Sequence, residues 1–400
     1  MRIGSKYQLT YCTNVHPAES WDETFTQLKR HLPVIKKAVA GTELFAVGLY
    51  LSDQASRQIL QGEAIAAFRD WLHAEGCYIL TMNGFPYGGF HQQRVKDKVY
   101  HPDWLQLERV HYTQRLFRIL SALTPEAAEG SISTVPLSYK YWYENEDARK
   151  IACTKASLHL ATIAYELHTL HAEYGKFFHL DLEPEPDCFL ENAEDVIHFF
   201  EYHLLPEGKS FLKQKGFTAI QAEDLLRRHI QLCYDVCHFS VKFQDPDQAL
   251  KKIIAAGINI GKVQVSAALK AICTEDTLQE ITDSLKPFDE PRYFHQSVIR
   301  NKSGQLKHYR DLGEALDNIQ PDAEELRTHF HIPVFTHNYG RLHSTQQDIL
   351  ETFAVIKKHN LNPHFEAETY TWEVLPENLK TELSQCITRE LKWIIQNLSP

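Results

Sequence analysis

The chain has 400 residues, of which 43% are hydrophobic and 24% are charged, as expected for a globular protein with a sizeable core. Its formal net charge is −10 and it has no long run of basic residues, which argues against nucleic acid as a partner. It has no apolar run long enough to cross a bilayer, no N-terminal signal sequence and no paired cysteine spacing, so we expect a cytoplasmic protein with reduced thiols.

Apolar and β-branched runs predict strands that alternate with helices along most of the chain. The predicted strands are 7–15, 44–51, 77–82, 130–137, 177–183, 230–234, 260–267 and 362–370. The main predicted helices are 20–35, 53–76, 107–123, 146–174, 190–204, 218–229, 246–256, 344–360 and 376–398. Two of them begin with a predicted capping box, Ser20 with Glu23 and Ser344 with Gln347.

This alternation predicts an α/β protein that folds as a (β/α)8 TIM barrel, with residues 1–400 forming a single domain. The alternation breaks down over 274–326, between strands seven and eight, which predicts a long insertion. Within it, 293–300 and 305–309 flank Asn301 to Gly304 and predict a hairpin. A further extended segment is predicted over 327–335, and we group its end with the barrel mouth.

The reactive groups of such a barrel come from the C-terminal ends of its strands. Glu183 ends the fifth strand, and it is either a metal ligand or a carboxylate satisfied by loop amides. Asp235 and His238 lie three residues apart where the sixth strand ends. They could face one cavity as ligands of a metal ion, or form a structural His-Asp pair.

Further candidate ligands lie on the last segments of the chain. Glu368 is the carboxylate nearer the end of strand eight, and burying it is costly unless it is paired or bound to metal. His329 and His331 alternate onto one face, either as metal ligands or as a polar inner face. Gln264, on strand seven, is a weaker ligand or a substrate contact.

Carboxylates mixed with imidazoles favour a divalent metal such as Mn, Zn, Mg or Co as the cofactor. Such an ion can polarise a carbonyl or hydroxyl group while a carboxylate moves a proton. We therefore expect Glu183 and Glu368 to act as base and acid, and His238 to contact the ion or the substrate. Six aromatic side chains could stack on a cyclic ligand, although most aromatics are core residues: Trp21, Phe85, Tyr87, Trp142, Tyr370 and Trp372.

The order Glu183, Asp235-x-x-His238 and Glu368-Thr369 resembles that of the xylose isomerase-like TIM barrels, which include sugar isomerases, epimerases and apurinic-site endonucleases. Four segments show a narrower resemblance to the EboE family of metabolite traffic proteins, encoded in operons linked to secondary metabolites. These are YCTNVHPAESW (11–21), GKVQVSAAL (261–269), HFHIPV (329–334) and EAETYTW (366–372).

The resemblance implies that Glu183, Asp235 and Glu368 are metal ligands and that His238 serves a second metal or the substrate. It also implies that His329 and His331 correspond to an Asp-x-His element that binds a further zinc in the endonucleases. Two departures weaken the match. Gln264 replaces a ligand histidine on strand seven, and strands two and three have no histidines for the additional zinc.

Three functions follow from these patterns. The first is a metal-dependent isomerase or epimerase that acts on a sugar-like or cyclic polyol in a secondary-metabolite pathway, with other proteins of its operon as possible partners. The second is a metabolite-binding or traffic protein without catalysis, which Gln264 favours. The third is a multi-zinc phosphodiesterase of the apurinic-site endonuclease type, which the acidic charge and the missing histidines disfavour.

Overall fold

The computed structural model describes residues 1–4, 6–89, 95–125, 129–274, 277–375 and 380–399, without the side chains of residues 373 and 374. Its strands are β1 (Arg2–Ile3), β2 (Tyr7–Tyr11), β3 (Phe45–Tyr50), β4 (Cys77–Asn83), β5 (Glu129–Thr134), β6 (Phe177–Leu182), β7 (Ile230–Asp235), β8 (Ile260–Val265), β9 (Ala267–Ile272), β10 (Ser297–Asn301), β11 (Leu306–Tyr309), β12 (Ala323–Ile332), β13 (Asn338–Tyr339), β14 (Leu342–Ser344) and β15 (His364–Ala367). These strands form two sheets, one parallel apart from β1 and one antiparallel.

Most of the helices in the same residues pack around the parallel sheet, whereas α11 and α12 contact the antiparallel one. They are α1 (Trp21–Val39), α2 (Asp53–Gln58), α3 (Ala64–Ala74), α4 (Leu107–Leu123), α5 (Glu146–Tyr174), α6 (Ala193–Phe199), α7 (Leu205–Gln214), α8 (Ala219–His229), α9 (Val236–Val241), α10 (Pro246–Ala255), α11 (Leu278–Leu285), α12 (Leu312–Asp317), α13 (Gln346–Lys358) and α14 (Leu383–Leu398). None of the helices in the described ranges is long and apolar enough to cross a membrane.

Eight parallel strands form the barrel, in the order β2, β15, β8, β7, β6, β5, β4 and β3. The two ends of this series meet through a parallel bridge between Cys12 and Gly48, so the sheet curls back on itself. A Cβ atom at Gly48 would lie 1.9 Å from Oε2 of Glu366, so only glycine fits at this seam. The predicted (β/α)8 barrel is confirmed.

Several predicted helices match the observed ones. Helices α4 and α5 have the predicted bounds, and Ser20 and Glu23 form the predicted capping box. The predicted box of Ser344 and Gln347 is wrong, because α13 begins at Gln346 after Thr345, which makes no side-chain cap. The predicted helix over 53–76 divides into α2 and α3, and α7 was not predicted. Part of the predicted helix 376–398 lies outside the described residues, and α14 begins at Leu383.

The insertion between strands seven and eight is larger than predicted. Strand seven ends at Val265, and after Ser266 the chain enters β9, the first strand of the antiparallel sheet. That sheet has the order β11, β10, β12, β9, β14 and β13 and includes the predicted hairpin as β10 and β11. The segment 327–335 belongs to this second sheet through β12, and its end lies at the barrel mouth as predicted, where Nε2 of His331 is 3.8 Å from Oδ2 of Asp235.

The inside of the barrel is unusually polar. Lys262 and Glu366, which are both fully buried, form an ion pair of 2.6 Å between β8 and β15. Nearer the N-terminal ends of the strands, Nδ1 of His179 lies 2.6 Å from Oδ1 of Asp181. The eight cysteines, all within the described residues, are free thiols.

Candidate metal centre

Three carboxylates meet at the C-terminal mouth of the barrel. Glu183 follows β6, Asp235 is the last residue of β7 and Glu368 follows β15. Their exposed fractions are 2%, 0% and 4%, and one oxygen of each lies within 4.8 Å of an oxygen of the other two. Residues from three distant parts of the chain therefore converge, since the ends of parallel strands share one edge of the barrel.

The hydrogen bonds of these carboxylates leave one oxygen of two of them unused. Oδ1 of Asp235 accepts hydrogen bonds from the backbone N–H of His238 (3.0 Å) and from Ser266 Oγ (2.8 Å). Oδ2 of Asp235 and Oε2 of Glu183 have no hydrogen-bond partner in the part of the chain that the structure describes. The amide of Gln264, which is fully buried, also has none there at either atom. Buried polar atoms without partners are costly, so this group fits a bound cation.

Glu368 is held differently from the other two. Its Oε1 accepts hydrogen bonds from Nδ2 of Asn14 (2.9 Å) and Nδ2 of Asn83 (2.8 Å). Neither asparagine was predicted as a site residue. Asn14 lies in the loop shortly after β2, the first barrel strand, and Asn83 is the last residue of β4, the third barrel strand. The rule that pointed to Glu183 would therefore also have found them.

The carboxylates raise one another's affinity for protons. Burial, together with the charges of Glu368 and Asp235, raises the pKa of Glu183 well above its usual range. Burial and the charges of Asp235 and Glu366 raise the pKa of Glu368 to about 8, although Lys262 opposes both shifts. The cluster has more negative charge than its surroundings neutralise, which a divalent cation would correct.

Three histidines stand beside the carboxylates, and their tautomers follow from their partners. His238 Nδ1 lies 2.8 Å from the carbonyl oxygen of Pro184, and His331 Nδ1 lies 3.0 Å from that of Glu368. His329 Nδ1 lies 2.7 Å from Oε1 of Gln296, whose Nε2 donates to the carbonyl oxygen of Pro186. Each Nδ1 must carry the proton, so each Nε2 is the unprotonated nitrogen with the lone pair, as in histidines that bind metals.

These lone pairs point to a second group of ligands that shares Asp235 with the first. Nε2 of His238 and Nε2 of His331 each lie 3.8 Å from Oδ2 of Asp235. Burial lowers the pKa of His331 to about 4 and that of His329 well below its usual range, so both rings are neutral at pH 7. Neutral imidazoles beside a carboxylate are typical ligands of zinc and similar ions.

Glu185 was not predicted to take part, yet it lies in the same region. Its Oε1 accepts a hydrogen bond from the hydroxyl of Tyr100 at 2.9 Å, and it forms a further possible ligand group with His238 and His329. Cys237 forms another such group with His329 and His331. Glu185 follows β6 in the same Pro-rich turn as Glu183, which was the available signal.

A cavity opens onto the carboxylates and histidines, with about 530 Å³ of empty space that includes open solvent. Of the predicted site residues, Glu183, Glu368, His238 and His329 line it, whereas Asp235, Gln264 and His331 lie behind its wall. Of the six aromatic residues predicted to stack on a ligand, Phe85 and Tyr370 line it. Trp21 instead packs against Phe25 and Phe68.

No family model matches the chain, and no curated protein matches it. Solved structures with a similar fold include a xylose isomerase-like TIM barrel protein from Mycobacterium smegmatis in complex with magnesium. It is 10% identical, with a TM-score of 0.49 over 98% of this chain and 96% of that one. A D-tagatose 3-epimerase-like protein is also 10% identical, with a TM-score of 0.48 over 97% and 98% of the two chains.

A third similar structure is 3-keto-D-glucoside 4-epimerase from E. coli, which is 12% identical with a TM-score of 0.45 over 98% of this chain and 100% of that one. These similarities say nothing about activity, and the barrel is shown by the strand order of this chain. The narrower resemblance to the EboE family stays a prediction.

Proposed function

We propose that this protein is a metal-dependent isomerase or epimerase that acts on a sugar-like or cyclic polyol in a secondary-metabolite pathway. The observation that carries the proposal is the convergence of Glu183, Asp235 and Glu368, buried and within 4.8 Å of one another. The proposal includes a cytoplasmic location and, as possible partners, other proteins encoded in the same operon.

Glu183, Asp235 and Glu368 would hold the cation, with Gln264 as a fourth oxygen ligand, because these groups have raised pKa values or unpaired buried atoms. When bound, a divalent cation would polarise a substrate carbonyl or hydroxyl and favour negative charge on its oxygen. Carboxylate and amide oxygens suit Mg or Mn, whereas the adjoining histidines suit Zn or Co.

The chain's own residues would move the proton. Glu183 and Glu368 line the cavity from different strands, so one can remove a proton from a substrate carbon while the other returns one. Asn14 and Asn83 fix Oε1 of Glu368 and so hold its other oxygen in one orientation. His238 lines the cavity with its Nε2 unprotonated, so that this nitrogen can accept a hydrogen bond from a substrate hydroxyl.

Glu368→Gln tests this proposal. The variant should bind Mn²⁺ at least about tenfold more weakly, a loss of ~1.4 kcal/mol, and should lose activity while keeping its fold. Activity can be followed by NMR as deuterium exchange from D₂O into D-fructose, D-tagatose, D-xylulose and 2-keto-myo-inositol. Glu166→Gln is the matched control, because Glu166 lies on α5 and pairs with Gln114 away from the mouth. Unchanged Mn²⁺ binding and exchange in Glu368→Gln would overturn the proposal.

The histidine group favours a second candidate function, a multi-metal phosphodiesterase. His238 and His331 lie beside Asp235, so two ions could share this carboxylate, as in sites that hydrolyse phosphate esters. Metal content separates the candidates: about one ion per chain supports an isomerase, two or three support a hydrolase, and none supports a metabolite-binding protein. Hydrolysis of bis(p-nitrophenyl) phosphate would be the direct test of the second candidate.

A further inference from the structure

Two chemically different groups of residues line the cavity at the barrel mouth. The first consists of the carboxylates and histidines of the candidate metal centre. The second consists of six residues that we call the apolar wall: Phe85, Pro86, Val95, Val99, Tyr293 and Phe294. The same cavity therefore offers a ligand both metal-type polar groups and a surface of carbon atoms and aromatic rings.

Part of the apolar wall is separate from the main core, although Phe85 belongs to that core and Val99 and Phe294 pack against it. Val95 and Tyr293, which are 6% and 5% exposed, form a separate hydrophobic cluster with Val99 and Tyr370. A main core is built by the packing of helices and sheets, whereas this small cluster joins two loops above the mouth. Apolar side chains gathered at the wall of a cavity are typical of ligand-binding sites.

The rings of the wall are held in place by their neighbours. The ring of Phe85 lies 6.0 Å from that of Tyr100, and the ring of Phe294 stacks on Tyr139 at 5.9 Å. The backbone N–H of Val95 donates to the carbonyl oxygen of Arg292 at 2.8 Å, which ties the two loops together. The surface is thus formed before any ligand enters, and binding would cost little ordering of side chains.

Among the residues that the structure describes, Lys96 is the charged residue beside the apolar wall, and it already has a counter-ion. Nζ of Lys96 forms an ion pair with Asp311 and lies 5.4 Å from the ring centre of Phe294. Its charge is therefore balanced by the protein, and it adds little attraction for an anionic ligand. The polar contacts for a ligand are concentrated around Glu183, Glu368 and His238.

A bare polyol would leave the apolar wall unmatched. Hydroxyl groups placed against this wall would lose water without gaining hydrogen bonds, which is unfavourable. A ring-shaped apolar group placed there would be buried, which should increase affinity about 10- to 100-fold.

We propose that the ligand of this cavity is amphipathic, with a hydroxylated head at the metal centre and a flat apolar or aromatic group against the wall. The placement of the head rests on the proposed function, whereas the placement of the apolar group rests on the wall alone. The substrate class is thereby narrowed from free sugars and polyols to hydroxylated compounds that carry an aryl or similar substituent.

Two probes that differ only in the substituent test the proposal, methyl and phenyl β-D-xylopyranoside. With Mn²⁺-loaded protein, calorimetry should show the phenyl compound binding at least about tenfold more tightly. Phe85→Ser should remove most of that preference, and Phe294→Ser serves the same purpose if the first variant does not fold. Asn14→Ala is the matched variant among the polar residues that line the cavity, and it should weaken the binding of both probes by the same factor.

Equal binding of the two probes, or no binding of either, would overturn the inference, as would a phenyl preference that survives both wall substitutions. Mn²⁺ binding is measured separately in every variant. If the unmodified protein does not bind Mn²⁺, the result counts against the proposed function. If it binds Mn²⁺ but does not prefer the phenyl compound, the result counts against the amphipathic ligand alone.

Discussion

Nε2 of His238 and Nε2 of His329 face each other at 3.2 Å. Because Nδ1 of each ring donates to a carbonyl-type oxygen, both facing nitrogens are acceptors unless one takes up a proton. The hydroxyl of Tyr370 lies 3.1 Å from Nε2 of His329 and can satisfy that ring alone. The two facing nitrogens therefore need a proton or a metal ion between them.

Gln296→Leu should weaken zinc binding at the histidines by about 10- to 100-fold, because Gln296 fixes the tautomer of His329. Gln296→Glu keeps an acceptor for Nδ1 and should retain most of the affinity. Competition against a chelating dye measures both. Equal zinc affinity in Gln296→Leu and the unmodified protein would show that the tautomer of His329 does not matter for metal binding.

Metal binding should release protons at neutral pH. The pKa of Glu368 is raised to about 8, so its carboxyl is largely protonated at pH 7 and must ionise to bind a cation. Affinity for Mn²⁺ should therefore rise with pH and level off above about pH 9, with at least about one proton released per ion at pH 7, since the pKa of Glu183 is raised as well. Calorimetry in Pipes and in Hepes gives the proton count. An affinity that is flat from pH 6 to pH 8 would contradict the shift.

Gln264→His should strengthen zinc binding by about tenfold or more, equivalent to ~1.4 kcal/mol. The buried amide of Gln264 has no hydrogen-bond partner among the residues described, and imidazole is a stronger zinc ligand than an amide oxygen. Gln264→Leu is the control for the change in packing and should not gain affinity. If both variants bind zinc alike, Gln264 lies outside the coordination shell.

Removing one partner of the Lys262–Glu366 ion pair should lower the free energy of unfolding much more than removing both. Burial alone would lower the pKa of Lys262, but the Glu366 carboxylate outweighs it, so the ammonium group stays charged. Lys262→Met leaves a buried carboxylate without its counter-ion and should cost about 3–5 kcal/mol of unfolding free energy. The double variant Lys262→Met/Glu366→Gln should recover most of that loss in urea unfolding. An equal loss in both would mean that Lys262 stabilises the barrel by packing instead.

The cluster at the opposite end of the barrel should make stability depend on pH. Burial would lower the pKa of His179, but Asp181 and Glu129 outweigh it and raise the pKa to about 9. The raised pKa contributes stability that is complete below about pH 6.5 and is lost as pH rises through 9, on the order of 1–3 kcal/mol. Asp181→Asn should flatten urea-derived stability between pH 6.5 and pH 9. The same slope in the variant would exclude His179 as its source.

Much of the architecture could be predicted because it depends on local pattern. The strands leading to Glu183, Asp235 and Glu368 are apolar runs, and a barrel brings their ends together whatever the loops do. The second sheet could not be predicted in the same way. Strand β9 follows strand seven after only Ser266, and its partner β12 is distant in sequence, so no local signal separates them from the barrel.

In the candidate site, too, some residues could be predicted from the sequence and others could not. Residues at strand ends, such as Asp235, were predictable, and Asn14 and Asn83 were within reach of the same reasoning. The contacts of His329 and His331 with the mouth were suggested by their alternation, but the second sheet that carries them was not predicted. The apolar wall depends on how two loops meet across the cavity, which no periodicity encodes.

Strand β15 bears on how the chain assembles. It pairs with β2 on one side and β8 on the other, and the whole antiparallel sheet separates it from β8 in sequence. A nascent chain that ends before His364 has the other seven barrel strands but leaves β2 and β8 as open edges, which readily pair with strands of other molecules. Closure of the barrel thus waits for a distant C-terminal segment, and contacts so far apart in sequence form slowly. The same strand delivers Glu368, so the last piece of the barrel to be synthesised also completes its chemistry.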